Sequence, residues 1–334
     1  MTGSQVGKTF LLIALAFGLF FLADTESYFW IFIVIGLIAL LDGCANPIRQ
    51  ALIPHYVEPK QLLKANGIGE TITQLVQMFM WFTGSLLLLV ISSQEIIWIV
   101  ACLFILSSIL LSLLDEVPTS SMEQASKREQ LKKGWGLLSS IPILRQITKI
   151  DILETIAGTV WVAAIILVFV TEALNRDERW WGFINGAYFC GLIIGSIYCV
   201  KYAPYIKNKI GTVILWSSAA TSLVTLLFSI NYIPSVAMLL SLLIGFSGQL
   251  KAIPQQTVIQ TSVRSGHLAS VYTSLGAIST GIFGLSTLLM GILADLFGVR
   301  AVFAISAAFL VMASLLILRH KQLFSDDREQ ESAS

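Results

Sequence analysis

Long apolar stretches, each closed by a polar break, recur along almost the whole chain: residues 9–23, 28–46, 68–92, 96–114, 150–170, 181–200, 211–230, 234–252, 268–293 and 301–318. A helix of about 20 apolar residues covers the hydrocarbon core of a bilayer. These runs are too long for strands, and lipid offers no water to satisfy an open sheet edge, so helices are the element that fits. The sequence predicts an all-α, polytopic membrane protein with about ten transmembrane helices, whose first partner is the lipid bilayer. Composition points the same way: 56% of the 334 residues are hydrophobic and 12% charged, against about 25% charged in soluble domains. A net charge of +1 gives no footing for nucleic acid as a partner.

Basic residues are retained on the cytoplasmic side of a membrane protein, so alternate loops test the span count. With the N-terminus inside, 18 of the 21 lysines and arginines fall on one side, Lys8, Arg49, Lys149, Lys251 and Arg319 among them. The other side holds Arg176, Arg179 and Arg300. One missed helix would invert every later loop and scramble this bias. The expected organisation is a partial N-terminal bundle of four helices over residues 1–114, a cytoplasmic linker over 115–149, a six-helix bundle over 150–318 and a cytoplasmic tail over 319–334. Both termini then face the cytoplasm. The linker carries six lysines and arginines. Within it, Gly134-Trp135-Gly136-Leu137-Leu138 ahead of Pro142 reads either as a short interfacial amphipathic helix or as a flexible tether.

Cys44, Cys102, Cys190 and Cys199 all lie in apolar stretches without a C-x-x-C pair or paired histidines, so they read as packing residues and no metal site is expected. No cleavage site follows the first run, which is read as a retained helix. His55, His267 and His320 fall on loops or the tail, and no catalytic constellation or nucleotide-binding G-x-x-x-x-G-K-S/T loop is present. An enzyme is not expected, nor is a cofactor.

Charges at membrane depth cost about 2.5 to 3.5 kcal/mol each at mid-helix and default to functional candidates. Asp42 lies well within the second run, Glu70 near the start of the third, and Asp151 and Glu154 near the start of the fifth. An apolar setting favours the neutral, protonated carboxyl, so each is a candidate for taking up a proton, with protons as coupling ion. The alternative is an internal ion pair, Asp42 with Arg49 two helical turns on, or a partner at Lys149. Gln74, Gln77 and Gln249 are candidates to line a hydrated cavity or to bond across helices. Gly182, Gly186 and Cys190 recur every four residues, as do Ala187, Gly191, Gly195 and Cys199, and the ninth run repeats the device with Ala277, Gly281, Gly284 and Gly291. Such stripes permit close helix approach, either at a static contact or at a sliding interface. Trp98, Trp180, Trp181 and Tyr232 near span ends read as interfacial anchors.

Three segments carry a family resemblance. They are Asn46-Pro47-Ile48-Arg49-Gln50-Ala51-Leu52-Ile53-Pro54 with Leu62-Leu63-Lys64-Ala65-Asn66-Gly67, then Lys133-Gly134-Trp135 through Pro142-Ile143-Leu144-Arg145, and Gly291-Ile292-Leu293-Ala294-Asp295-Leu296-Phe297-Gly298-Val299-Arg300. This layout resembles the major facilitator superfamily, and within it the drug and siderophore exporters of the macrolide-efflux and enterobactin-exporter kind. The resemblance implies two six-helix halves, of which the first two helices are absent here, with Gly3 to Lys8 standing where a charged loop motif is expected and Gly84-Ser85 where the family has glycine-proline. Independently of it, Pro47 followed by Ala51, Ile53 and Val57 is echoed, with one gap allowed, by Pro254 followed by Val258, Ile259 and Val263, as parallel repeats would give. The function implied is secondary active transport in a bacterial-type plasma membrane, with proton-coupled efflux, by antiport, of small, largely apolar, drug-like or siderophore-like substrates. The alternative reading is a truncated remnant that transports nothing and persists as a non-catalytic membrane protein.

Overall fold

The structure is a computed structural model that describes residues 2–21, 29–112, 127–161 and 163–324. Among these residues the chain is helical throughout, without a strand. The first four helices, α1 (Thr2–Phe21), α2 (Phe29–Tyr56), α3 (Leu62–Val90) and α4 (Ser93–Ser112), sit where the first four apolar runs were expected. They are followed by α5 (Lys127–Ser140), α6 (Pro142–Gly158), α7 (Ala163–Val168), α8 (Arg179–Lys201), α9 (Ala203–Lys207), α10 (Ile210–Ile230), α11 (Pro234–Ser262), α12 (Ser265–Phe297) and α13 (Val299–Arg319). Among the described residues, the helices α8, α10, α11, α12 and α13 are each long and apolar enough to cross a membrane, and α6 with the segment that follows it, bent by 47°, has the same length and apolarity as a broken span or a re-entrant loop.

Local chemistry sets the ends. Pro142 and Pro234 occupy the first turns of α6 and α11, where a missing N–H leaves no intrahelical bond unmade. Before α4, the Ser92 hydroxyl accepts from the Glu95 amide (3.3 Å) while the Glu95 carboxylate accepts from the Ser92 amide (2.7 Å), a reciprocal capping box. Gly298, at φ +81°, makes the tight turn between α12 and α13, a conformation that side chains disfavour. Beside it Arg300 donates to the carbonyls of Ala173, Ser229 and Asn231 and lies 3.8 Å from the Tyr232 ring, tying three chain segments together at that end.

Several helices run past the apolar stretches that announce them. The expected run 234–252 is the first two-thirds of α11, which continues to Ser262, and α6 begins at Pro142, eight residues before the expected 150. Ile143, Leu144 and Ile147 of α6 are fully buried among residues of α5, α12 and α13. The segment expected as an amphipathic helix or a tether forms the helix α5, packed on α12 through Gly134, where a side chain would strike the Ser270 backbone. Trp135 is exposed.

Packing in the second half is densest between α8 and α11, then between α10 and its neighbours α11 and α13. An aromatic nest of Trp161, Phe169, Phe228 and Phe303 fills one end of this bundle, with ring centroids 4.6 to 5.4 Å apart. Hydroxyls join helices through the apolar core: Ser314 of α13 lies 2.8 Å from Ser218 and 3.1 Å from Ser222 of α10. The two halves meet where α3 packs on α8 and α11 and where α2 packs on α12. There Asn66 Nδ2 donates to Thr257 Oγ1 (3.0 Å) and Gln260 Oε1 (2.7 Å), and Gln260 Nε2 donates to the Gln50 carbonyl (3.1 Å). Asn66, Thr257 and Gln260 are all buried.

Candidate functional site, a polar cavity between the helices

Two adjoining cavities open between α3, α6, α8, α11 and α12. The larger, of about 1120 Å³, is lined by Glu70, Asp151, Tyr188, Gln249, Gln255 and Tyr272 among others. The smaller, of about 370 Å³, shares Asp151, Tyr188 and Gln255 and adds Glu154, Trp161, Ser218, Thr221 and Lys251. Both lie within apolar helices, so their polar groups are not an accident of surface exposure.

Helical spacing puts these groups together. Asp151 and Glu154 are three apart on α6 and therefore share a face, as do Lys251 and Gln255, four apart on α11. The two faces meet. Lys251 Nζ is ion-paired and hydrogen-bonded to Glu154, with 10% and 22% of the two side chains exposed. One turn away, Gln255 Nε2 donates to Asp151 Oδ1 at 2.7 Å. Gln255 is 8% exposed, and its Oε1 has no partner among the described residues. On α3 the pattern recurs within one helix: Gln74 Nε2 lies 3.4 Å from Glu70 Oε2, and the buried Gln74 Oε1 likewise lacks a described partner.

Of the residues singled out from the sequence, Glu70, Asp151, Glu154 and Gln249 therefore line the cavities. Gln74 is buried beside Glu70, while Gln77, one turn further along α3, is exposed. The backbones of Asp42 and Arg49 lie in α2; their side chains, with that of Cys44, fall outside the described residues. Lys149 is exposed, and the acid of α6 that has a lysine partner pairs with Lys251 instead.

Lys251 requires a correction. The loop count placed it on the cytoplasmic side, as the end of an apolar run, whereas it is buried within α11, eleven residues before the helix ends. A lysine can be held there because a carboxylate meets it; an unpaired one could not. The signal was present in the polar set Gln249, Lys251, Gln255 and Gln256, after which apolar residues resume at Val258 and Ile259.

The glycine stripes divide. A side chain at Gly191 would collide with the Leu242 carbonyl, one at Gly195 would come within 2.7 Å of the Phe246 carbonyl, and Gly245 opposite them abuts Tyr188, so the backbones of α8 and α11 touch. At Gly182, Gly186, Gly281, Gly284 and Gly291 a side chain would meet no described atom within 4 Å, and the expected close contact there is corrected: those positions face open space in this structure. Cys199 is buried on the contacting stripe, Cys190 half-buried and Cys102 exposed. Trp98 and Tyr232 are exposed, whereas Trp180 and Trp181 pack partly against the aromatic end of the bundle.

Known proteins share this architecture. The sequence profile of the Major Facilitator Superfamily matches residues 7–284. Two uncharacterised transporters of that type from Bacillus subtilis (strain 168) are similar over nearly the whole chain: YjbB is 33% identical over 91% of this chain and 75% of its own length, and YfmI is 30% identical over 94% and 78%. Among solved structures, the E. coli fucose:proton symporter FucP superposes with a TM-score of 0.72 at 14% identity, covering 96% of this chain and 83% of that one. The human organic anion transporter MFSD10 gives 0.71 at 15% identity, over 94% and 77%.

Proposed function

Because the chain belongs to the Major Facilitator Superfamily, whose members are secondary transporters, we propose that it exports small, largely apolar, drug-like or siderophore-like compounds in exchange for protons across a bacterial-type plasma membrane. The observation that carries this reading is the cavity between the helices, lined by Asp151, Glu154 and Glu70 and by aromatic rings. Apolar walls give a drug-sized molecule its binding energy, a few polar groups orient it, and carboxyls inside a membrane are natural sites for proton uptake and release.

On this reading α1–α4 form one bundle, corresponding to the third to sixth helices of the family, and α6–α13 form the other. The helix α5 belongs to a cytoplasmic linker, and both termini face the cytoplasm. Alternating access rocks one bundle against the other around a fixed site. The buried bonds from Asn66 to Thr257 and Gln260 then close one end of the pathway. A proton taken up by Asp151 or Glu154 weakens its bond to Gln255 or Lys251, which links protonation to the packing of α6 against α11.

The reading is tested in proteoliposomes with an imposed pH gradient and a panel of radiolabelled hydrophobic drugs. Asp151→Asn, and separately Asp42→Asn, is expected to abolish gradient-driven accumulation at the one position that couples while leaving downhill movement measurable. Unchanged gradient-driven movement in both variants, and in Glu154→Gln and Glu70→Gln made separately, removes proton coupling through these acids. Failure of every compound to move in the unaltered protein removes export.

A further inference from the structure

The described polar groups of the cavity are unbalanced, and the imbalance selects a ligand. Three carboxylates, Glu70, Asp151 and Glu154, face the two cavities against one base, Lys251, and that base is engaged by Glu154. The larger cavity has Glu70 and Asp151 on its wall and, among the described residues, no lysine, arginine or histidine. The amide hydrogens follow the same rule. Gln255 directs its Nε2 to Asp151, and its Oε1, in a side chain more than nine-tenths buried, has no partner among the described residues. An orphaned buried acceptor is costly even for a neutral group. It is tolerated where a donor is supplied from outside. Next to it stands a carboxylate whose described hydrogen bond comes from a neutral amide. An N–H donor that carries positive charge suits both groups.

We propose that the site recognises organic cations: a protonated amine or amidine donates to the Asp151 carboxylate and to Gln255 Oε1, and its apolar body lies against the rings of Trp161, Tyr188 and Tyr272. The rings suit this ligand twice over, as apolar surface and as electron-rich faces that attract a cation. Glu70, across the larger cavity, adds a second negative pole that draws the same ligand in. An anion meets the opposite conditions, with carboxylates on the wall and the ammonium of Lys251 already occupied. The proposal rests on the transporter reading above but makes a binding claim that stands or falls separately.

The test is a matched series of 4-phenylbutylammonium, 4-phenylbutanol and 4-phenylbutyrate, titrated at pH 8 into the purified full chain in detergent by calorimetry. The ammonium ion is expected to bind at least about tenfold tighter than the alcohol, the value of one charge-assisted hydrogen bond, with the carboxylate weakest. Asp151→Asn should erase most of that preference, and Gln255→Leu part of it. Equal binding of ammonium and alcohol, or tightest binding of the carboxylate, overturns the proposal. The series on the unaltered protein is decisive by itself, even where a variant fails to fold. If neutral or anionic drugs move in proteoliposomes while the ammonium ion shows no preference, the cation proposal falls and export stands. If the ammonium ion binds through Asp151 but nothing accumulates against a gradient, the cation site stands and proton-coupled export falls.

Discussion

Lys251 and Glu154 show how much one residue's partner matters. A buried pair contributes little compared with two well-packed apolar residues, but removing one member leaves the other charged and stranded. Lys251→Ala should therefore lower stability by about 3 to 5 kcal/mol, whereas the double change Lys251→Met with Glu154→Gln should recover most of that loss. Denaturation followed in detergent decides between them: a double variant no more stable than Lys251→Ala would mean that the pair does not balance itself. The sequence could offer Glu154 as a buried acid because it sits inside an apolar run. It could not offer its partner, since 97 residues separate the two and a lysine following an apolar run reads as the end of the span. Asp151 was offered in the same way, whereas Gln255 was not, being ordinary on its own helix and meaningful only across the contact.

Helices themselves were legible almost throughout, because twenty apolar residues in lipid leave the backbone no alternative. Their ends were less so. Polar residues near the end of α11 point into protein rather than water, so a hydropathy reading stops at residue 252 while the helix runs to Ser262. Small-residue spacing identified a close contact on α8 but could not choose the stripe, since two neighbouring stripes carry the same period and the position of α11 alone decides which one is covered. Gly191→Leu and Gly195→Leu should consequently lower the melting temperature in detergent by several degrees or prevent folding, overpacking a contact with backbone that cannot move aside. Gly186→Leu and Ile194→Leu should be tolerated, the first because its surroundings are open and the second because it exchanges isomers on an exposed position. Equal behaviour at all four positions would remove the tight contact. The echo between Pro47 and Pro254 also has a structural counterpart: both lie inside long helices, nine residues before the end of α2 and eight before the end of α11.

For the molecule as a whole, the basic residues of the expected linker predict its orientation. Lys132→Cys and Ser139→Cys, made in a background without native cysteines, are expected to resist a membrane-impermeant maleimide applied to intact cells and to react once the cells are permeabilised. Ready labelling from outside would invert the topology. The contact that joins the halves at Asn66, Thr257, Gln260 and Gln50 bears on how such a molecule can move. Its donors and acceptors are shared in a closed set, so parting α3 from α11 strands several of them at once, and none recovers a partner until water reaches the gap. A partial separation, too narrow to be wetted, is the worst arrangement available to it. On the alternating-access reading, the barrier to opening at this end is therefore a hydration threshold, because a gap too narrow for water costs more than either a dry seal or a flooded opening.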